Sequence, residues 1–238
     1  MKLLLIETAT SVCSVAIASE EGILAERRST APNAHSSQLA PFIGEMLDNP
    51  SDLSAVCVSA GPGSYTGLRI GVSTAKGFCY ALGIPLLSVP TLESMAAQYY
   101  AEHPDYQGFV CPMIDARRME CYTAFFCPDK ELRPTQADII EPGIYDEYLD
   151  KNTVTFIGDG ASKCFPLLSN HPNARLDESF TISARGLLPV ALRKLAAGET
   201  EDVAYFEPFY LKDFVAKKSV VRGIEDRKSG SAGMPRPI

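Results

Sequence analysis

A short polar turn between an apolar run and a helical pattern is the part of the chain best suited to bind a ligand. Residues 55–60 (AVCVSA) form an apolar run that is typical of a buried strand. A Gly-Pro-Gly-Ser turn, residues 61–64, then interrupts it, and a helical pattern follows. Such a turn leaves backbone N–H groups at a helix N-terminus, where an anion such as phosphate can bind. Gly61, Gly63 and Ser64 are therefore candidate nucleotide- or anion-binding residues.

The same arrangement of strand, glycine-rich turn and helix recurs later in the chain. Residues 154–157 have the apolar character of a strand, and Gly-Asp-Gly-Ala follows at 158–161. Gly158 and Gly160 are the corresponding candidates in this second turn. Neither turn contains the Gly-Lys-Ser/Thr of a P-loop or the third glycine of a Rossmann turn. The turns thus indicate anion binding in general and match neither of these two nucleotide-binding fingerprints.

Histidine spacing bears on metal chemistry. A His-x-x-x-His pair places two imidazoles on one helix face, where they can hold a catalytic metal. The three histidines, His35, His103 and His171, are too far apart in sequence to form such a pair. No Ser-His-Asp or Cys-His arrangement is recognisable either. We therefore predict neither a catalytic residue nor a metal site in this chain.

The charge of the chain is unevenly distributed. The 238 residues carry a net charge of −7, with 22 Lys and Arg residues against 29 Asp and Glu residues. Residues 216–238 hold six of the basic residues and two of the acidic ones, which leaves 16 basic against 27 acidic residues in 1–215. An acidic body is poorly suited to hold a nucleic-acid backbone unaided. The composition of the basic tail, 213–238, predicts disorder.

The cysteine usage and the hydropathy pattern predict a cytoplasmic protein. Seven cysteines are scattered through the chain without a Cys-x-x-Cys pair, which favours free thiols in a reducing compartment. No apolar run reaches the about 20 residues that span a bilayer. The N-terminal segment is too short for a signal sequence. We expect no contact with a membrane.

The remaining pattern predicts two halves that each begin with a β-hairpin. Residues 2–6 and 12–18 form one predicted hairpin, and residues 109–114 and 119–127 form the other. We expect an α/β fold of two lobes, divided as 1–102 for the first lobe, 103–180 for the second, 181–212 for a returning helix and closing segment, and 213–238 for the tail.

Two predicted helices of the first half have faces that suit contact with another helix. Apolar residues at i, i+3, i+4 and i+7 define the first face, and small residues define the second. Small residues let a second helix approach closely, and either the protein's own sheet or a partner helix could use that approach. We predict a partner surface composed of Leu39, Phe42, Ile43, Met46, Gly67, Gly71, Thr74, Ala75 and Phe78.

The turn of the second hairpin carries three charged residues, Asp115, Arg117 and Arg118. One interpretation is an internal salt bridge in a solvated turn. The other is that the arginines brace the cleft between the halves or contact a partner, because the guanidinium group suits carboxylate and phosphate.

Two hairpin-led halves around a cleft resemble the ribonuclease H-like fold shared by actin, Hsp70 ATPase domains and sugar kinases. The segments IETATSVCSVAI, GPGSYTGLRIGVSTAKGF, IDARRMECY and PFYLK together resemble the TsaB family, the YeaZ-type proteins of bacterial tRNA modification. The resemblance as a whole extends from Leu3 to Leu211. The glycine-rich turn followed in order by the DARR segment is the specific part of the resemblance.

The resemblance implies a function without catalysis. Such a protein forms a heterodimer with TsaD, its paralogue, which transfers the threonylcarbamoyl group to adenosine 37 of tRNAs that read ANN codons. TsaE, an ATPase, completes the assembly, tRNA is contacted indirectly, and the isolated chain is expected to form a homodimer. Glu7 stands where the family usually has Asp, near the magnesium of a nucleotide in actin-like folds. We therefore expect no cofactor of its own, and only weak ATP or ADP binding, in the complex if at all.

Two further interpretations remain open at this point. The two glycine-rich turns also suit a stand-alone kinase or ATPase of the same fold, which calorimetry with ATP and magnesium would detect. An independent homodimer without an enzymatic client is the third, and a sizing column with added TsaD would distinguish it from the first.

Overall fold

The structure is a computed structural model that describes residues 1–212. It contains two five-stranded sheets, and the first sheet belongs to the N-terminal half of the chain. Its strands are β1 (Leu3–Glu7), β2 (Cys13–Ser19), β3 (Gly22–Ser29), β4 (Ala55–Gly61) and β5 (Leu86–Pro90). They lie in the order β3-β2-β1-β4-β5. The first three strands pair antiparallel, whereas β4 runs parallel to β1 and β5 runs parallel to β4.

The second sheet repeats this topology. Its strands are β6 (Phe109–Asp115), β7 (Glu120–Cys127), β8 (Lys130–Ile139), β9 (Val154–Ile157) and β10 (Ala174–Asp177). The order β10-β9-β6-β7-β8 places an antiparallel meander on one side of β6 and two parallel strands on the other. The predicted two-lobed, actin-like α/β fold, with a hairpin leading each lobe, is confirmed.

Seven helices lie among the described residues. They are α1 (Ala34–Ser37), α2 (Leu39–Met46), α3 (Tyr65–Leu82), α4 (Thr91–Glu102), α5 (Asp146–Leu149), α6 (Asp159–Leu168) and α7 (Leu187–Ala197). Pro41 lies in the first turn of α2, where its missing N–H has no helical partner to lose. None of the helices in this part of the chain is long and apolar enough to cross a membrane.

The first sheet is covered on both faces, which explains why all five residues of β1 are buried. Leu4 and Ile6 pack in a cluster with residues of α2 and α3. Leu3 and Leu5 face the other side, where α7 packs. Between the lobes, α4 contributes to a third cluster that also contains residues of β6 and β7. The leading strands β1 and β6 are therefore held in place by buried packing.

Two local features differ from what the sequence suggests, and one prediction concerns residues that the structure does not describe. The edge strands β8 and β10 were not predicted, because their mostly polar and partly exposed residues lack the apolar run of a buried strand. Threonine is a good N-cap residue type, yet Pro90 occupies the N-cap position of α4 and the Thr91 hydroxyl makes no hydrogen bond among residues 1–212. The predicted disorder of 213–238 lies outside the described residues.

Candidate functional site

The turns of the two leading hairpins lie on opposite sides of a cavity of about 680 Å³ between the lobes. The first lobe lines it with residues 9–11 of the β1–β2 turn and with residues 63–66 at the start of α3. The second lobe contributes Asp115 and Arg117 among others. This cavity therefore brings Gly63 and Ser64 of the first glycine-rich turn together with Arg117 of the second hairpin, which we call the cleft hairpin.

The first glycine-rich turn is packed tightly against other parts of the chain. Gly61 has φ +106°, and a Cβ there would lie 2.4 Å from the carbonyl oxygen of Phe209. A Cβ at Gly63 would lie 2.2 Å from the carbonyl oxygen of Ala9. The Ser64 N–H donates to that same Ala9 oxygen at 2.6 Å, and the Ser64 hydroxyl accepts from Gly67 N at 3.3 Å. The glycines thus admit backbone carbonyls of this chain, and anion binding at this turn stays a prediction.

Close contacts within the chain also explain the glycines of the second glycine-rich turn. Gly158 has φ +98°, and a Cβ there would lie 2.5 Å from the Met113 carbonyl oxygen. At Gly160 a Cβ would lie 2.9 Å from the sulfur of Cys121. Between them, the Asp159 carboxylate accepts a hydrogen bond from Asp115 N at 3.0 Å. Burial raises the pKa of Asp159 by penalising its charged form, and the nearby Asp115 charge adds to this effect.

Glu7 does not face the cavity. Its side chain is fully buried, and its Oε1 accepts hydrogen bonds from Ala9 N at 2.7 Å and from the Ser59 hydroxyl at 3.0 Å. Its other carboxylate oxygen has no hydrogen-bond partner among residues 1–212. Burial raises the pKa of Glu7 to about 7, although the hydrogen bonds counteract part of the rise. The longer side chain therefore folds back and holds the β1–β2 turn.

Asp115 is held by a local network at the cleft. Its Oδ1 accepts hydrogen bonds from Arg117 N at 2.7 Å and from Lys163 Nζ, with which it forms an ion pair. Partial desolvation raises its pKa, but these bonds and the Lys163 charge outweigh that effect, so the pKa is lowered. The internal salt bridge considered from the sequence therefore exists with Lys163 as the partner of Asp115.

The two arginines of this hairpin adopt backbone conformations that side chains rarely take. Arg117 has φ 75° and Arg118 has φ 51°, both in the left-handed region. Both side chains are exposed, and a turn closed by Glu120 N to Arg117 O at 3.1 Å holds the backbone. Strained residues of this kind concentrate at functional positions, where the surrounding structure enforces them. A contact of these arginines with a partner stays a prediction.

The predicted partner surface needs correction, because five of its nine residues are buried inside this chain. Leu39, Ile43 and Ala75 belong to the core of the first lobe. A Cβ at Gly67 would lie 2.1 Å from the Thr8 carbonyl oxygen, and one at Gly71 would lie 2.2 Å from Thr8 Oγ1. The small residues let α3 approach the end of β1, so the own-sheet interpretation is correct for them. The half-buried remainder consists of Phe42, Met46, Thr74 and Phe78.

The exposed side of α3 carries residues that the sequence argument missed. Tyr80 is 86% exposed, and Gly77 has open space around it. Ser73 and Ala81 are exposed on the same helix. A helical wheel of α3 would have identified them, since these positions lie on the opposite side of the helix from the small residues that pack on β1.

Comparison with known proteins places this chain among tRNA-modification proteins. A family model described as "TsaD: tRNA N6-adenosine threonylcarbamoyltransferase" matches residues 14–220. The tRNA threonylcarbamoyladenosine biosynthesis protein TsaB of Escherichia coli is 29% identical over 92% of this chain and 98% of its own length. Its namesake in Bacillus subtilis is 36% identical over 53% of this chain and 55% of its own length.

Solved structures give the same result. YeaZ from Pseudomonas aeruginosa superposes with a TM-score of 0.75 at 27% identity, covering 88% of this chain and 99% of that one. A second Pseudomonas aeruginosa structure, described as similar to peptidase YEAZ, has a TM-score of 0.77 at 27% identity and covers 89% and 99%. Given the two-lobed fold and a family match that spans most of the chain, this protein belongs to the threonylcarbamoyltransferase family of that model and, within it, is of the TsaB, or YeaZ, type.

Proposed function

We propose that this chain is a non-catalytic scaffold and activator in the formation of N6-threonylcarbamoyladenosine at position 37 of tRNA. The observation that carries the proposal is its similarity, along nearly its whole length, to a protein named for the biosynthesis of that nucleoside. In this proposal the chain forms a heterodimer with TsaD, which supplies the catalytic groups. TsaE joins the assembled complex, and tRNA contacts this chain only indirectly.

The three histidines each contact a different part of the chain, which supports the proposal that they form no metal-binding pair. His35 Nε2 lies 3.2 Å from the Val12 carbonyl oxygen. His103 stacks on Tyr99 with ring centroids 4.2 Å apart. His171 lies 3.2 Å from an Asp150 carboxylate oxygen. These contacts serve loops and helix ends of the chain itself.

The partner surface in this proposal is the outer side of α2 and α3. Phe42 and Met46 on α2 and Phe78 on α3 are half-buried apolar residues that pack against one core cluster, and Tyr80 is exposed beyond them. Apolar surface rimmed by polar residues is typical of a protein interface. In this proposal the isolated chain self-associates through the same surface, since an isologous dimer uses one patch twice.

Reconstitution tests the function directly. Purified TsaD, TsaE, tRNA, ATP and the threonylcarbamoyl donor are assayed with and without this protein. We expect modified tRNA only when this chain is present with TsaD, and no turnover by this chain alone. Clear modification of tRNA by this protein without another subunit would contradict the proposal, as would full activity of TsaD in its absence.

A matched pair of variants tests the surface. Ser73→Arg adds a bulky charge to the exposed side of α3, and Ser162→Arg makes the same change at an exposed position of α6, the equivalent helix of the second lobe. Ser73→Arg is expected to abolish co-elution with TsaD, whereas Ser162→Arg retains it, with both variants equally helical by circular dichroism. Co-elution of both variants would place the interface elsewhere.

Nucleotide binding by the cleft is the second candidate, favoured by the cavity between the lobes. Its residues fit a magnesium nucleotide poorly, because the Glu7 carboxylate is buried behind the turn and the Ser64 amide is occupied by Ala9. Calorimetry with ATP and magnesium on the isolated chain distinguishes the candidates. Micromolar binding with turnover would favour a kinase or ATPase, and its absence would leave the scaffold role.

A further inference from the structure

The PFYLK segment belongs to a stretch, residues 201–212, that we call the strap. It begins at the edge of the first sheet, where Glu201 N donates to the Leu86 carbonyl oxygen at 2.8 Å. From there Lys76 of α3 holds it, since Lys76 Nζ donates to the carbonyl oxygens of Ala204 and Phe206 at 3.1 Å each. The first half of the strap is thus attached to the edge of the first sheet and then to α3.

The strap then crosses the first glycine-rich turn. Phe209 N donates to the Ala60 carbonyl oxygen at 2.7 Å, and the Phe209 carbonyl occupies the space that only a glycine at 61 leaves open. The Tyr210 ring packs against Tyr65, the first residue of α3, with centroids 4.8 Å apart. The packing of the strap against this turn therefore explains the glycine at 61 without a bound phosphate.

The end of the strap reaches the second lobe. Lys212 forms an ion pair with Glu120, the first residue of β7, directly after the turn of the second hairpin. Residues 210–212 line the 680 Å³ cavity, whereas Phe209 lines a different cavity of about 800 Å³ between α4, α7 and the β7–β8 turn. The strap therefore lies between two inter-lobe spaces and joins α3 to the hairpin on the far side of the cleft.

The strap is also continuous with the exposed side of α3. Tyr205 lies between the two residues that Lys76 holds and is 83% exposed. Tyr80 is one helical turn from Lys76, and residues four apart are neighbours on a helix surface. A protein that covers the outer side of α3 is accordingly placed to contact the strap as well.

We propose that the strap is a latch that couples partner docking on α3 to the opening of the inter-lobe cleft. A partner that contacts the strap in its seated position favours the closed arrangement of the lobes, by its differential affinity for the two states. The Lys212–Glu120 ion pair is the inter-lobe end of the latch. The coupling to a partner rests on the proposed function, whereas the latch itself does not.

Hydrogen exchange on the full-length chain alone tests the latch. The proteins compared are the wild type, Lys212→Glu, Glu120→Lys and the double charge swap. Each single reversal is expected to speed exchange of the Phe209 amide and of residues 116–120 by about twofold to fivefold, and the swap to restore protection. Lys2→Glu is the matched control, because Lys2 pairs with Asp52 within the first lobe. Unchanged exchange in both single reversals, or no recovery in the swap, would overturn the latch.

Addition of TsaD tests the coupling separately. Docking is expected to slow exchange of the Phe209 amide at least about tenfold in the wild type, with a smaller effect in Tyr205→Ala. Co-elution of TsaD without any change at Phe209 would overturn the coupling and leave the scaffold role intact. Failure of TsaD to bind at all would overturn the proposed function and the coupling, while the measurement on the isolated chain would still decide the latch.

Discussion

The two lobes place an acidic residue at the same position and treat it in opposite ways. Glu7 is the last residue of β1 and Asp115 the last residue of β6, the equivalent leading strand. Glu7 is fully buried and forms no ion pair within residues 1–212, and burial raises its pKa to about 7. Asp115 is exposed, and Lys163 and Arg117 lower its pKa despite partial desolvation. The two lobes share one topology, so the difference in pKa between Glu7 and Asp115 comes from the residues that surround each of them.

The glycines beside these acids differ in what they contact. In the first lobe, a Cβ at Gly67 would meet the backbone of Thr8, which cannot move without displacing β1. In the second lobe, a Cβ at Gly160 would lie 2.9 Å from the Cys121 sulfur and 3.0 and 3.1 Å from backbone atoms of Ile114 and Asp115. Both lobes thus bring a glycine against the backbone at the end of the leading strand, and the approach is closer at Gly67 than at Gly160.

The largest expected effect is at Gly67. Gly67→Ala puts a methyl group 2.1 Å from the Thr8 carbonyl oxygen, so we expect a loss of about 3 kcal/mol or more in the free energy of unfolding. Gly160→Ala is expected to cost less, because the nearest atom would lie 2.9 Å from the added methyl group rather than 2.1 Å. Urea unfolding measures both changes.

The control for this pair lies on the same helix. A Cβ at Gly77 would have no atom of residues 1–212 within 4 Å, so Gly77→Ala is expected to stabilise the protein by about 1 kcal/mol through helix propensity alone. A Gly67→Ala protein as stable as the wild type would show that α3 does not pack on β1 as described.

The second effect is the pH dependence at Glu7. Its pKa is 4.5 ordinarily and about 7 in the folded chain, so the folded state holds the proton more tightly. Wild-type stability therefore falls as pH rises from about 4.5 to 7, and stays at the lower level above that. Gln cannot ionise, and its Oε1 can keep the bonds to Ala9 and Ser59. The stability of Glu7→Gln relative to wild type is expected to rise by about 3 kcal/mol between pH 4.5 and pH 8.

Urea unfolding of both proteins over that pH range gives the measurement. Ser59→Ala is a useful companion, because it removes one hydrogen bond from Glu7 Oε1 without removing the carboxylate. A constant difference between Glu7→Gln and wild type from pH 4.5 to 8 would mean that Glu7 is solvated, and the contrast with Asp115 would disappear.

The sequence predicted the two leading hairpins, the glycine-rich turns and the longer helices, because each has a local pattern, but it did not predict the four-residue helix α5. It could not assign the side of α3 that faces β1, since small residues at Gly67, Gly71 and Ala75 suit a sheet and a partner equally. The decisive contact is with the backbone of Thr8, about 60 positions away, which no local pattern records. Glu7 was missed as a buried group for the same reason, because an acidic residue at a turn is ordinarily solvated.

The third effect concerns the strained turn, which has no equivalent in the first hairpin. The β1–β2 turn contains no non-glycine residue with positive φ, whereas Arg118 is held at φ 51°. Arg118→Gly removes that cost and is expected to stabilise the chain by about 1 kcal/mol. If the arginine contacts a partner, the same variant lowers stimulation of TsaD. Thermal unfolding and the reconstituted assay, with Lys130→Gly at the start of β8 as control, measure the two effects.

The smallest effect is at Asp115, and its sign is opposite to that at Glu7. Its pKa is lowered in the folded chain, so its contribution is present above the ordinary pKa near 3.8 and is lost as pH falls through the lower folded value. Because the group is exposed, Asp115→Asn is expected to cost less than about 1 kcal/mol at pH 7 and nothing measurable near pH 2. Lys163→Met, which removes the partner charge, is expected to cost a similar amount with the same pH dependence, and the double variant to cost no more than either single one. Additive costs would mean that Asp115 and Lys163 act independently, and a cost at Asp115 that grows toward low pH would reverse the assignment and make the two acids alike.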